Sequence, residues 1–149
     1  MISPEKLRRY AHCAGAPDEL LKQVAMLGGE RSFQPGTELF HEGEPARRLM
    51  ILESGEVDIV HRMPGDRNVV VDTLVEGDLM AWSALLEPYA LTASGVARTA
   101  GVAIEIDGEG MRKICQENPE YGLVMMTEIA KTLRARLEAT RVQLAAASS

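Results

Sequence analysis

Apolar residues cluster in short blocks through the middle of the chain and follow helical spacing at both ends. Four apolar runs in the middle are separated by turn-forming Gly, Pro, Asp and Ser residues. The runs cover residues 49–52, 57–60, 69–73 and 102–106. The connections between them are too short for crossover helices, which excludes a parallel sheet. The pattern predicts a mainly β fold, an antiparallel β-roll of the jelly-roll kind with flanking helices.

The N-terminal region predicts two helices. One begins at Ser3-Pro4, a capping residue followed by proline at the first helical position. Its apolar stripe consists of Leu7, Tyr10 and Ala11. The other helix extends over residues 17–27 and ends at Gly28-Gly29.

The C-terminal region predicts two more helices. Asp107-Gly108 caps a short helix, and Asn118-Pro119 opens the last and longest one. Residues 145–149 predict a small, weakly ordered tail. The chain is therefore expected to form one domain over residues 1–149, made of N-terminal helices (1–30), a β-roll (31–107) and C-terminal helices (108–149).

The last helix contains a heptad pattern with spacings of three and four residues. The residues in this seam are Leu123, Met126, Ala130, Leu133, Leu137, Thr140 and Leu144. A second apolar strip, formed by Val124, Met125 and Ile129, lies on an adjoining face. One helix cannot bury both faces against a single surface, so the pattern predicts a homodimer through the seam. The alternative is a helix packed only within one subunit. The relative direction of the two helices in a dimer stays open.

Three arginines flank the seam: Arg134, Arg136 and Arg141. In a parallel dimer they would repel one another weakly, and Glu138 relieves this within its own helix. We interpret this basic cluster as a solvated helix flank.

Composition and charge limit the classes of function. The 149 residues carry a net charge of −6, which disfavours nucleic acid as a partner. No apolar run is long enough to span a membrane, and no signal peptide follows Met1, so a cytoplasmic location is expected. Since the sequence ends about five residues after Leu144, no DNA-recognition helix is expected.

Reactive side chains form no recognisable catalytic or metal-binding motif. Cys13 and Cys115 are far apart and are interpreted as reduced thiols, with a redox sensor as a minor alternative. The three histidines are interpreted as surface or loop residues: His12, His41 and His61. The sequence thus predicts no enzyme, no catalytic residue and no metal site.

Residues 39–57 resemble the first signature of the cyclic nucleotide-binding domain family. The resemblance includes Gly43 before Glu44, the small residue Ala46, the apolar strand after it and the closing Gly55. Residues 33–38 look like that family's entry strand, and residues 74–79 look like the approach to its phosphate-binding cassette. The resemblance implies a regulatory β-roll with a cassette at residues 77–94.

The cassette departs from the family pattern at two positions. In nucleotide-binding members a glutamate contacts the ribose and an arginine contacts the cyclic phosphate. Here these positions hold Trp82 and Leu91, although Thr92-Ala93 matches the pair that follows the arginine. Residues 80–97 contain no lysine or arginine. The missing charge-assisted contact is worth roughly 1.5–3 kcal/mol, so cyclic AMP or cyclic GMP is disfavoured as a cofactor.

The resemblance also gives a candidate ligand pocket. Its residues are Gly77, Asp78, Leu79, Ala81, Trp82, Ser83, Leu91, Thr92, Ala93 and Thr140. Thr140 is included because catabolite-activator relatives contact the base with a threonine after Arg-Leu; it is equally interpretable as a polar residue of the seam. Trp82 either stacks on a ligand, with Ser83, Thr92 and Ser94 as hydrogen-bond partners, or fills the volume that the sugar of a nucleotide would occupy. Tyr89 either forms a lid on the pocket or covers the core.

Two functional hypotheses follow. The first is a sensor that binds a small molecule other than an ordinary cyclic nucleotide, or binds one weakly, and signals to an unidentified partner protein. The second is a structural dimeric interaction module with a filled pocket and no ligand.

Overall fold

The computed structural model describes residues 1–148 and contains eight strands and six helical segments within that range. The strands are β1 (Gly28–Phe33), β2 (Glu38–Phe40), β3 (Arg48–Ser54), β4 (Val57–Met63), β5 (Arg67–Leu74), β6 (Leu79–Met80), β7 (Ser94–Ala97) and β8 (Gly101–Asp107). The helices are α1 (Pro4–Leu7), α2 (Ala11–Ala14), α3 (Asp18–Met26), the 3₁₀ cassette helix (Trp82–Leu85), α4 (Gly108–Glu117) and α5 (Pro119–Ser148).

The strands form two four-stranded antiparallel sheets, ordered β1-β8-β3-β6 and β2-β7-β4-β5. This confirms the predicted antiparallel β-roll. All four apolar runs lie inside strands, namely β3, β4, β5 and β8. Their apolar residues fill the core; Leu49 and Ile51 of β3 and Ile104 of β8 are completely buried. The two sheets thus enclose the apolar side chains that the sequence pattern marks.

Glycine is required at the turn between β3 and β4. Gly55 has a φ of +89°, and a Cβ atom there would lie 2.6 Å from the carbonyl oxygen of Ala100. An L side chain would meet both a steric clash and an unfavourable backbone conformation. Gly55, the glycine that ends the family signature, is therefore required by the local backbone and packing of this chain.

The β-roll begins earlier than residue 31. Gly28 and Gly29 do end the preceding helix, but they are already part of β1, and Gly28 pairs with Ile106. A Cβ atom on Gly28 would approach Ile2 Cδ1 to 2.9 Å. The glycine permits this close contact between the first residues of the chain and the sheet.

The first predicted helix is broken in two. Leu7 and Tyr10 are buried as expected, but Tyr10 is extended, with φ −100° and ψ 142°, and Ala11 is exposed. The break is held by Arg8, whose guanidinium donates hydrogen bonds to the carbonyl oxygens of Ala14 and Ala16. The side chains of α1 and α2 can therefore face the core from two directions.

The C-terminal helices follow the prediction more closely. The Asp107 carboxylate accepts a hydrogen bond from Gly110 N at 2.8 Å, which caps α4. The Asn118 side chain donates to Ile114 O at the end of α4. The tail predicted for residues 145–149 is helical as far as Ser148, because α5 continues to that residue. Ser149 lies outside the described residues.

The two faces of α5 differ in burial. Tyr121, Met125 and Ile129 are buried against the rest of the chain, whereas Val124 is 43% exposed and was wrongly placed in the packed strip. Within this chain most of the seam is exposed: Leu123 is 70%, Leu137 50% and Leu144 66% exposed. The homodimer stays a prediction, and these residues are free to form it.

Candidate functional site

The cassette begins at a tight turn anchored to β3. Asp78 Oδ2 accepts a hydrogen bond from Val75 N at 2.8 Å. The backbone of Leu52 holds the other side of the turn, donating to Asp78 O and accepting from Gly77 N. Gly77 has a φ of +92°, which suits glycine. The cassette therefore starts from a rigid position on the sheet.

A single helical turn follows this anchored turn. Ala81 is left-handed, with a φ of +54°, and the cassette helix extends from Trp82 to Leu85. Burial of Ser83 and Ala84 fixes this helix against the core. Trp82 is half-buried and packs on the edge of the core.

The second half of the cassette is held by the loop before β3. Leu91 N donates to Glu44 O at 2.9 Å, and Gly43 N donates to Leu91 O at 2.8 Å. Ala46 N donates to Tyr89 O at 2.7 Å. These bonds place the Leu91 side chain, which is 8% exposed, in the wall of the site.

Arg112 of α4 contacts two residues of the cassette. Its guanidinium lies 4.0 Å from the centroid of the Tyr89 ring and donates a hydrogen bond of 2.6 Å to Ala84 O. Tyr89 is thus packed under a cation. Two interpretations of Tyr89 were open, a lid on the pocket and a residue that covers the core. This contact favours the second.

The space that these elements enclose, which we call the cassette crevice, has a volume of only about 10 Å³. Its lining consists of Phe40, Ile59, Ala81, Trp82, Ser83, Leu91, Thr92, Ala93 and Arg136. A volume of this size is at the lower limit for one water molecule, whereas small-molecule sites measure about 300 Å³ or more. The crevice is packed like a core.

Arg136 is the main correction to the sequence interpretation. It was assigned to a solvated flank, and the crevice was expected to lack a cation. Instead its side chain is only 14% exposed, lines the crevice, and places Nε 3.6 Å from Asp72 Oδ2 of β5. Burial lowers the pKa of this guanidinium, while Asp72 and Asp78 oppose the change. Because a guanidinium does not lose its proton in proteins, the group remains charged.

The structure brings together six of the ten predicted pocket residues: Ala81, Trp82, Ser83, Leu91, Thr92 and Ala93. Gly77, Asp78 and Leu79 lie in the preceding turn and strand and do not line the crevice. Thr140 is also outside the lining; its hydroxyl donates to Arg136 O at 2.8 Å. The hydroxyl of Ser94 is engaged by Glu42 N at 2.9 Å. Sequence reasoning missed Phe40, Ile59 and Arg136.

The histidines differ in environment. His41 and His61 are partly exposed and lie 3.0 and 3.5 Å from glutamates. His12 is only 4% exposed, so its assignment to the surface was wrong. Burial also lowers its pKa. No group of three or more metal-ligating side chains occurs within residues 1–148.

The two cysteines are free thiols with low reactivity. Burial raises the pKa of Cys13 to about 11 and also raises the pKa of Cys115. Thiolates are the reactive form, so these environments argue against a redox-sensing cysteine. None of the helices within residues 1–148 has the length and apolar composition that a bilayer-spanning segment needs.

An antiparallel β-roll with a short helix in its cassette and a long C-terminal helix defines a class of regulatory domains. The sequence model of the cyclic nucleotide-binding domain family matches residues 30–118, and this chain belongs to that family.

Three relatives illustrate the similarity. A protein of Geobacter metallireducens GS-15, assigned to the cyclic nucleotide-binding proteins, is 34% identical with a TM-score of 0.81, over 92% of this chain and 99% of that one. The N-terminal domain of a transcriptional regulator from Streptomyces coelicolor A3(2) is 25% identical with a TM-score of 0.67, over 90% and 94% of the two chains. The CRP-like cAMP-activated global transcriptional regulator of Mycobacterium tuberculosis is 29% identical over 102 residues, which are 68% of this chain and 46% of the regulator. The chain thus spans about half the length of the curated relatives it matches.

The crevice residues do not fit a cyclic nucleotide in the usual family manner. Trp82 and Leu91, which the resemblance aligns with the family's ribose-binding glutamate and phosphate-binding arginine, both line the remaining volume. The one guanidinium in the lining, Arg136, faces a carboxylate of the same chain. Neither the volume nor the charge arrangement suits a phosphodiester with a purine.

Proposed function

We propose that this chain is a non-enzymatic regulatory domain that acts as a homodimer and does not bind cyclic AMP or cyclic GMP in the usual way of its family. The single observation that carries this proposal is the cassette crevice of about 10 Å³, filled by side chains of the chain itself. The Mycobacterium tuberculosis relative is cAMP-activated by its name, so the proposal makes this chain a departure from that relative.

Volume alone argues against a nucleotide. Binding one would require Trp82 and Leu91 to leave positions in which they contact the core. Such a rearrangement exposes apolar surface and costs free energy that the ligand must supply. The apparent affinity for the nucleotide falls by the factor that corresponds to this free energy.

Charge adds a second argument. Arg136 could contact an anion, but the carboxylates of Asp72 and Asp78 already interact with its charge. An incoming phosphodiester would have to compete with Asp72 for the guanidinium. The arginine that would serve the phosphate directly is replaced by Leu91.

The homodimer is supported by the exposed side of α5. Leu123, Leu133, Leu137 and Leu144 are 37–70% exposed and lie on one stripe with heptad spacing. A heptad stripe is self-complementary, which makes a second copy of the chain its fitting occupant. In such a dimer α5 would connect the crevice of each subunit, through Arg136, to the subunit interface.

Titration calorimetry tests the nucleotide part of the proposal. We expect the wild-type protein to show no saturable binding of cyclic AMP or cyclic GMP up to about 100 µM. The variant Trp82→Glu/Leu91→Arg restores the family's two ligand contacts and should bind cyclic AMP at least tenfold more tightly than the wild type. The size-matched control Trp82→Gln/Leu91→Met lacks both charges and should not. Submicromolar binding by the wild type would contradict the proposal.

The dimer is tested by light scattering of wild-type and charged variants. Leu137→Lys places an ammonium group in the seam and should produce monomers. Val142→Lys is the matched control, since Val142 is also well exposed, at 66%, but lies on the opposite side of α5 from the seam. A monomeric wild type, or equal dissociation by both variants, would remove the seam from the proposal.

A further inference from the structure

A second hollow lies away from the cassette, between the N-terminal helices and the joint of α4 and α5. We call it the hinge cavity; its volume is about 390 Å³, within the range of small-molecule sites. Its lining consists of His12, Gly15, Ala16, Pro17, Leu20, Glu117, Asn118, Pro119, Glu120, Tyr121 and Val124. No residue of the cassette takes part in it.

The floor of the hinge cavity is apolar except for one imidazole. Ala16, Leu20 and Tyr121 are each at most 7% exposed, and His12 is 4% exposed. His12 stacks on Tyr10, with ring centroids 5.9 Å apart. Its Nε2 atom is fully buried and has no hydrogen-bond partner among the described residues. A buried polar atom without a partner costs free energy comparable to a lost hydrogen bond. Since this atom is not reached from the cavity in the structure, a ligand can remove the cost only if the His12 ring turns.

The rim determines the charge of a suitable ligand. The charged residues in the lining are Glu117 and Glu120, and both are acidic and exposed. Lys113 lies 4.0 Å from Glu117 and compensates only that carboxylate. Anions are therefore disfavoured at the entrance. Burial lowers the pKa of His12, so the imidazole is neutral near pH 7 and offers a hydrogen bond rather than a charge.

We propose that the hinge cavity is a ligand site for a small, neutral, largely apolar molecule that carries one hydroxyl group, and that the His12 ring turns on binding so that Nε2 becomes the hydrogen-bond partner of that hydroxyl. A hydroxyl group both donates and accepts, so it suits either tautomer of the imidazole. The apolar body of the ligand contacts Ala16, Leu20 and Tyr121.

The position of the site gives binding a structural consequence. One wall belongs to α2, α3 and the loop between them, and the other belongs to the first turn of α5 and the residues before it. Tyr121 OH also lies 3.8 Å from Cys13 Sγ, which joins the same two parts. A ligand that touches both walls stabilises one placement of α5, the helix that carries Arg136 and the seam. This inference goes beyond the proposed function and does not depend on the cassette crevice.

The test uses the full chain and 4-ethylphenol as the probe, followed by NMR titration. We expect saturable binding to the wild type with a Kd of about 1 mM, shifts of the His12 ring signals, and at least tenfold weaker binding of the anion 4-ethylbenzoate. His12→Phe keeps a ring of similar size but removes Nε2, and should weaken 4-ethylphenol binding about fivefold to tenfold.

A filling variant provides a second, independent measure. Gly15→Phe adds a ring at the cavity wall, where a Cβ atom meets nothing within 4 Å and the φ of −95° accepts any residue. We expect it to weaken binding at least tenfold. Gly29→Phe is the matched control, because a Cβ atom there also meets nothing within 4 Å and Gly29 lies outside the cavity.

Unsaturable binding to the wild type, or equal affinities of the wild type and Gly15→Phe, would overturn the site. Equal affinities of the wild type and His12→Phe would overturn the role of the imidazole. Cyclic AMP in the same titration separates the two proposals, since it reports on the cassette crevice and not on the hinge cavity.

Discussion

The cassette crevice and the hinge cavity are built from similar side chains but packed to different degrees. The crevice keeps about 10 Å³ and the hinge cavity about 390 Å³, although buried alanine and leucine side chains line both. The crevice lies between strands that hydrogen bonds hold in register, so its side chains close on one another. The cavity lies where two short helices, a proline and a helix joint meet, and such elements leave gaps. Membership of a ligand-binding family therefore does not say which hollow of a chain is open.

The difference in packing predicts unequal costs for deleting an aliphatic side chain. Ile59 in the crevice is 1% exposed, and Ile59→Ala should lower the free energy of unfolding by about 4 kcal/mol. Leu20 borders the hinge cavity and has fewer atoms around it, so Leu20→Ala should cost about 2 kcal/mol. Urea unfolding followed by circular dichroism measures both values. Equal costs would mean that the two hollows are equally well packed.

Adding atoms should have opposite effects in the two hollows. Ala93 in the crevice is 5% exposed, and Ala93→Val should overpack it and cost about 1–3 kcal/mol. Ala16 in the hinge cavity is 7% exposed and precedes Pro17, a position that suits the extended backbone of valine. Ala16→Val should therefore stabilise the protein by about 0.5–1 kcal/mol. Thermal unfolding of the two variants gives the signs, and a stabilising Ala93→Val would show that the crevice has usable space.

The sequence predicts the fold well because its main strands are continuous apolar runs. The strands it does not mark have other patterns: β1 contains one large apolar residue, Phe33, and β6 has two residues. Pairing with β8 and β3 forms these strands, and pairing partners that are distant in sequence leave no local pattern. The break between α1 and α2 likewise depends on Arg8, whose acceptors Ala14 O and Ala16 O lie at the end of α2 and just beyond it.

The candidate site was predictable only in part. Extending the strip Met125 and Ile129 by three and seven residues gives Thr132 and Arg136, so the helical spacing already contained the signal that places Arg136 on the buried face. Its partner Asp72 lies on another strand and gives no such signal. The burial of His12 could not be predicted, since it depends on how α2 meets α5. Local periodicity identifies a face but not what covers it.

Because the His12 imidazole in the hinge cavity is buried, we expect the free energy of unfolding to depend on pH through this residue. The pKa of His12 in the folded chain is lowered below 6.5 by burial, while Glu128 opposes the change and Glu117 and Glu120 face the same cavity. As the pH falls below 6.5, the unfolded chain binds this proton first, so stability is lost between pH 6.5 and the lower folded pKa. The loss has a limiting slope of about 1.4 kcal/mol per pH unit.

His12→Phe has no titrating group at this position and should show a flatter profile over that range. Urea midpoints measured from pH 7.5 to pH 5 in both proteins give the difference. His41→Phe is the control, because the ring of His41 is partly exposed. Parallel profiles of the wild type and His12→Phe would mean that the imidazole accepts a proton in the folded chain as easily as in the unfolded one.

The smallest expected effect concerns the charge pair of the cassette crevice. Arg136 and Asp72 are 14% and 27% exposed, and the 3.6 Å between Nε and Oδ2 is long for a hydrogen bond. A double-mutant cycle with Arg136→Met and Asp72→Asn should therefore give a coupling of about 0.5–1 kcal/mol, obtained from urea unfolding of the four proteins. A coupling of zero would mean that the carboxylate does not hold the guanidinium. Arg136 would then be available to an anion, and the cassette crevice would differ from the hinge cavity only in its volume.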